Sequence, residues 1–250
     1  MKEKSDMWKR VLIVIAVVVF LLMLVVAGGF AYLYFNGMSG MSANTEAKEG
    51  QIKVACVGDS ITYGHGVSNW PENNYPIVLQ KLLGEGYHVA NFGSSGACVN
   101  PDGDQPYVSR AIYQESLDYQ ADILVFMLGA NDTKPENWKD TDAFIEEYKE
   151  LLSTYLVAEK KPKVYIGLST KAYYINGITS GLAEYDIQPA LVEEMVAAVQ
   201  EWALSKEIEV EVIDVYSLTV EHPEWFESDG VHPNKDGAKA IAELVAEAIK

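Results

Sequence analysis

Five short stretches of the chain, residues 52–57, 87–92, 123–128, 164–168 and 210–215, are near-uninterrupted runs of apolar and β-branched side chains, and nothing else in the sequence narrows the fold as far. A strand wetted on one face alternates apolar with polar residues. These runs hardly alternate, so each reads as a strand covered on both faces. Helical patterns lie between them, clearest at residues 141–158, 189–205 and about 234–249, the last carrying Ile241, Leu244, Val245, Ala248 and Ile249 on one stripe. Strands alternating with helices pair in parallel through crossovers. The expected fold is therefore α/β, a three-layer α/β/α sandwich with about five parallel strands. In such open sheets ligands sit beyond the carboxyl ends of the strands, so a functional residue should fall just after a strand.

The amino terminus is of another kind. Residues 11–35 contain no charged side chain, and at ~1.5 Å per residue this run can cross a ~30 Å hydrocarbon core as a helix. Lys2, Lys4, Lys9 and Arg10 precede it, which places residues 1–10 in the cytoplasm and everything after the run outside. Val25 and Ala27 are small enough for a signal-peptidase site, and cleavage after Ala27 would release a secreted protein. Apolar character nevertheless continues through Phe30, Tyr32, Leu33, Tyr34 and Phe35, which a discarded signal does not need, so the run is expected to be an uncleaved transmembrane signal anchor in the cell membrane. Residues 36–50 (NGMSGMSANTEAKEG) are small and polar without periodicity, a flexible linker to a folded domain at residues 51–250.

The formal net charge is −17, and the first 35 residues carry more base than acid, so the domain is more acidic still. Such a surface opposes nucleic acid and does not cling to anionic lipid; membrane contact is expected only through the apolar run. Cys56 and Cys98 could pair outside the cytoplasm, but two cysteines make no framework and two buried free thiols are the expectation. The sequence shows no metal-ligand cluster, no phosphate-binding glycine loop and no GxSxG elbow, so no cofactor is expected.

Four loops carry polar groups where a site should be. The first strand runs into Gly58, Asp59 and Ser60; either Asp59 or Ser60 could cap a helix there, and Ser60 could be a nucleophile. The second ends in NFGSSG, where Gly93 and Gly96 allow backbone N–H groups to approach a ligand. The third ends in LGAND, where Asn131 offers a neutral amide to a developing oxyanion. Just before the last helix, SDGVHPN sets Asp229 three residues ahead of His232, a spacing at which a turn lets carboxylate meet imidazole. Among the other histidines, His88 lies within a strand, His65 follows Ser60 too closely to reach back but is expected to line the pocket, and His222 has no carboxylate three residues before it.

Together, GDSIT at 58–62, NFGSSG at 91–96, GAND at 129–132 and DGVHP at 229–233 resemble the GDSL or SGNH hydrolase family, over essentially all of residues 51–250 and in the family's block order. The resemblance implies a flavodoxin-like SGNH-hydrolase fold and a serine esterase working through an acyl-enzyme: Ser60 attacks an ester carbonyl, His232 takes its proton, and Asp229 orients His232. The oxyanion would be held by the Ser60 and Gly93 backbone N–H groups and the Asn131 amide. Similarity is closest to carbohydrate O-acetylesterases, so the expected partner is a small-molecule or glycan ester. Tyr63, His65 and Trp138 are expected to line the substrate site, with Trp70, Trp225 and the Tyr173–Tyr174 pair as further flat faces for a sugar ring. The family also includes lysophospholipases and thioesterases, and a non-catalytic binding domain on the same fold is a further alternative.

Overall fold

The computed structural model describes residues 2–36, 46–157, 160–175 and 181–250. Most of the expected linker, residues 37–45, and the end of the expected 141–158 helix lie outside these residues. The chain forms two units, residues 1–37 and 38–250. The first is a single helix, α1 (Lys2–Asn36), whose segment Leu12–Gly29 has a mean hydropathy of 3.2 and is long and apolar enough to cross a membrane.

The second unit runs β1 (Ile52–Gly58), α2 (Ser60–Tyr63), α3 (Trp70–Asn73), α4 (Tyr75–Leu83), β2 (Tyr87–Gly93), α5 (Ala111–Asp118), β3 (Ile123–Met127), α6 (Thr141–Leu156), β4 (Lys163–Gly167), α7 (Pro189–Leu204), β5 (Glu211–Ile213), α8 (Val215–Val220) and α9 (Lys235–Ile249), with short 3-10 turns between. The five strands form one sheet in the order β2-β1-β3-β4-β5, parallel at every pairing. The expected α/β/α sandwich is what forms. The run at 210–215 gives a shorter strand than its apolar length suggests, because Asp214 caps α8 by accepting the Ser217 N–H at 2.9 Å and so ends β5 at Ile213.

Both faces of the sheet are buried, which is why its strands read as unbroken apolar runs. Along β1, Ala55 and Val57 face a core shared with Phe92, Phe126, Tyr148 and Val199, while Val54 and Cys56 face the other core with Leu79, Tyr165, Ile241 and Val245. Helices α5, α6 and α7 cover the first face, α4 and α9 the second. Cys56 and Cys98 are free and buried, as expected, and burial pushes each thiol up to about 12, far from thiolate reactivity at neutral pH.

Strand order reverses between β1 and β3, which makes their carboxyl ends the topological switch point where the connections diverge and leave a crevice. Register then sets the level of the loops. Gly58 pairs with Gly93 on one side and with Met127 on the other, so the loops after β1, β2 and β3 leave the sheet at one height.

Candidate active site

Ser60 is the first residue of α2, directly beyond the carboxyl end of β1. The two readings of the Asp59-Ser60 pair divide between them. Asp59 is the cap, its carboxylate accepting the Ile61 N–H at 2.9 Å. Ser60 is left with its hydroxyl free to face the crevice and, at a helix start, with an N–H that has no intrahelical acceptor. Asp59 is 2% exposed, and burial pushes its carboxyl up to about 6 against the pull of the Ile61 N–H and the His232 ring.

His232 comes from the loop before α9, which Asn234 caps by accepting the Asp236 and Gly237 N–H groups at 2.9 and 3.2 Å. Asp229 folds this loop into a tight turn: one carboxylate oxygen accepts the backbone N–H groups of Val231 and His232 at 2.8 and 2.9 Å. Gly230 at the bend has φ 72°, and a Cβ there would lie 2.6 Å from the Tyr173 carbonyl, so the turn requires glycine. The other Asp229 oxygen accepts His232 Nδ1–H at 2.8 Å. With Nδ1 carrying the proton, Nε2 is an acceptor, and the Ser60 hydroxyl donates to it at 2.9 Å. Burial alone would raise the Asp229 carboxyl, but the hydrogen bonds from the His232 ring and from the His232 and Val231 backbone hold it at about 2. A fixed anion behind a histidine whose far nitrogen touches a serine hydroxyl can draw a proton from that hydroxyl.

The donors that would meet an oxyanion differ in one residue from expectation. Asn131, in the 3-10 turn after β3, donates through Nδ2 to the Ala97 carbonyl at 3.1 Å, which fixes the amide and leaves its second N–H for the crevice. Gly93 does not contribute. It is the last residue of β2, its N–H is taken by the Asn91 side-chain oxygen at 2.9 Å, and it packs against the backbone of Thr62 and Tyr63. Gly96 lines the crevice instead, with φ 79° and an N–H that makes no hydrogen bond among the described residues. The strand runs one residue further than the apolar run, as far as Gly93, so the glycine lying beyond the strand end is the later of the two. Asp132 ties these loops together by accepting the Val99 N–H at 2.9 Å and the Asn100 N–H at 2.8 Å.

The crevice is a cavity of about 220 Å³. Ser60, His65, Gly96, Asn131, Lys134 and His232 supply much of its polar wall, and Ile61, Ile187 and Val231 its apolar wall. His65 takes its expected place, its ring centroid 4.5 Å from that of His232, and burial lowers its imidazole below the ordinary range. The other aromatic expectations are not met, because none of those rings lines the cavity. Tyr63 stacks on Trp70 at 5.0 Å, Trp138 on Phe144 at 5.8 Å, and Trp225 on His222 at 3.7 Å. Tyr173 donates its hydroxyl to the Thr219 and Val220 carbonyls, and neither it nor Tyr174 lines the cavity. Several lining residues had no sequence signal of their own, Lys134, Ser95 and Tyr185 among them. Lys134 is buried against Asp104 at 2.9 Å, Ser95 has a buried hydroxyl with no partner among the described residues, and Tyr185 follows a segment without apolar periodicity.

The chain is similar to known proteins. Residues 56–240 match the GDSL-like lipase/acylhydrolase family. An acetylxylan esterase from Xylanibacter ruminicola is 32% identical over 212 residues, which are 81% of this chain and 44% of that protein, so the chain spans less than half of that relative. A rhamnogalacturonan acetylesterase from Bacillus subtilis is 27% identical over 230 residues, 80% of this chain and 90% of the relative. Among solved structures, Est24, a carbohydrate acetylesterase from Sinorhizobium meliloti, superposes with a TM-score of 0.65 over 80% of this chain and 98% of its own, at 17% identity, a likeness of fold.

Proposed function

The chain belongs to the GDSL-like lipase/acylhydrolase family, and we propose that it is a serine esterase that removes O-acetyl groups from a carbohydrate outside the cytoplasm. The observation that carries this reading is the continuous chain from Asp229 through His232 to Ser60, with links of 2.8 and 2.9 Å, opening on a cavity beside Gly96 and Asn131.

Ser60 Oγ attacks the ester carbonyl as His232 Nε2 takes its proton. The Ser60 and Gly96 N–H groups and the Asn131 amide receive the oxyanion, already oriented, so no reorganisation is needed as charge develops. Collapse of the tetrahedral intermediate expels the alcohol, which takes the proton from His232, and leaves an acyl-enzyme on Ser60. Water, deprotonated by His232, attacks that ester; Ser60 regains its proton and acetate departs. Asp229 remains an anion throughout, holding the ring and its tautomer.

A cavity of about 220 Å³ lies below the ~300–1,000 Å³ typical of sites that enclose drug-sized ligands, which favours a small acyl group over a fatty chain. The acetylesterase relatives favour a sugar alcohol. Acetate released from acetylated xylo-oligosaccharide by the wild type and not by Ser60→Ala is the expected result. Fatty acid released from lysophospholipid in place of acetate would make the protein a lipase, and failure of a fluorophosphonate to label Ser60 would make it a binding domain.

Helix α1 anchors the enzyme with the domain outside, given the basic residues ahead of an uncharged span. The full chain should stay with membranes through an alkaline wash; a mature terminus at Gly28 would instead mean cleavage after Ala27 and a secreted enzyme.

A further inference from the structure

In the esterase mechanism Gly96 and Asn131 receive the carbonyl oxygen, while the leaving oxygen of any ester must come within reach of His232 Nε2. The alcohol half of the substrate therefore lies on the His232 side. There the cavity wall is aromatic: His65 lies 4.5 Å from the His232 ring, and the Tyr185 ring stands nearly perpendicular to those of His232 at 5.2 Å and His65 at 6.1 Å.

Tyr185 is displayed at the cavity. It remains 48% exposed while lining the cavity, and it holds φ 61° and ψ 25°, with Asp186 after it also at φ 61°. Two successive left-handed residues with side chains are a strained arrangement that persists only where the surroundings enforce it. Here they do. The Ala183 N–H donates to the Ile187 carbonyl at 2.7 Å and closes the bend, Ile187 is buried at 1% exposure, and Gln188 donates through Nε2 to the Thr133 carbonyl at 2.8 Å, two residues beyond Asn131. The loop that carries Tyr185 is thus fastened to the loop that carries the oxyanion amide, which fixes the ring relative to the reacting atoms.

We infer that Tyr185 is the platform on which the alcohol half of the ester, a neutral sugar ring, rests while its acetyl group is removed; the inference rests on the esterase reading above. A flat aromatic face at the mouth of a cavity offers apolar contact to the C–H face of a pyranose, and its edge remains wet. Glu184 and Asp186 flank it in sequence, and the Asp229 carboxylate acts on it from within, so a phosphate or carboxylate on the alcohol would be repelled.

The test compares kcat/KM on acetylated xylo-oligosaccharide with kcat/KM on ethyl acetate, whose alcohol is too small to reach the platform, for wild type, Tyr185→Ala and Tyr185→Phe. For Tyr185→Ala the loss on the saccharide is expected to exceed that on ethyl acetate about tenfold, with most of the difference in KM, while Tyr185→Phe keeps the wild-type ratio because the ring and not the hydroxyl supports the sugar. Equal losses on both esters would overturn the inference, since Tyr185 would then act only through His232, and so would no loss on the saccharide. A wild type that cleaves ethyl acetate but no sugar ester removes the platform and leaves the esterase. A wild type inactive on ethyl acetate removes the esterase reading itself, and the inference with it.

Discussion

His232 Nε2 stands 2.9 Å from Ser60 Oγ although the two lie 172 positions apart in sequence: Ser60 directly follows β1 at the switch point, and the loop before α9 brings His232 to it. The link works only if Nε2 is the unprotonated nitrogen, and the Asp229 carboxylate ensures this by accepting Nδ1–H. Asp229→Asn replaces an acceptor with a group able to offer a donor, which favours the wrong tautomer. Turnover of an acetyl ester should fall by ~10²–10⁴-fold with the fold intact. Wild-type turnover in this variant would mean that His232 needs no orienting anion.

Asn131 is held by the Ala97 carbonyl, so its remaining N–H cannot swing away from the cavity. Asn131→Ala should lower kcat by ~10²–10³-fold, as loss of one oxyanion donor does, with KM little changed because the contact strengthens only in the transition state. A rise in KM at constant kcat would place the amide on the ground-state substrate instead.

The two glycines after β2 should respond differently to alanine. At Gly93 a Cβ would sit 2.1 Å from the Tyr63 backbone nitrogen, and backbone must move to admit it. At Gly96 the nearest atoms, at 2.8 to 3.0 Å, belong to the Gln105 side chain, which can shift, leaving the left-handed φ of 79° as the main cost, ~1–2 kcal/mol. Gly93→Ala is expected to lose thermal stability heavily, and Gly96→Ala to lose turnover with a smaller change in melting temperature. The reverse pattern would return Gly93 to the oxyanion site.

Asp229 and His232 were legible because a carboxylate three residues ahead of a histidine marks a turn before a helix; Ser60 and Asn131 were legible because each lies just beyond the end of a strand, and buried parallel strands announce themselves as apolar runs. Gly93 was misplaced for the same reason: the strand continues one residue beyond its apolar run, and two glycines in one loop look alike until register separates them. Of the aromatic wall, His65 was legible and Tyr185 was not. A ring's partner is set by packing between distant segments, so Trp138 went to Phe144 while Tyr185, which has no periodic neighbours, came to the site through the Gln188–Thr133 hydrogen bonds. Five strands in parallel could be read from pattern, but the order β2-β1-β3-β4-β5 that makes the crevice could not, since crossover lengths leave it open.

The buried carboxylates give stability an unusual pH dependence. Burial pushes Asp132 up to about 7, although the Val99 and Asn100 N–H groups pull it down, and burial pushes Asp59 up to about 6. In the unfolded chain both titrate near ~3.9. Between about pH 4 and pH 7 the folded protein therefore keeps protons that the unfolded chain has released, so the contribution of these two groups to stability falls as pH rises through that window. Asp229, held at about 2, acts in the opposite sense: it stabilises the fold above ~pH 4 and loses this as pH falls toward 2. Melting temperature should accordingly decline from about pH 4.5 to about pH 7.5, and Asp132→Asn, which keeps an oxygen for both backbone donors but cannot ionise, should flatten that decline. If the variant's slope matched that of the wild type, Asp132 would be ionised across the whole window, and its two backbone donors would outweigh its burial.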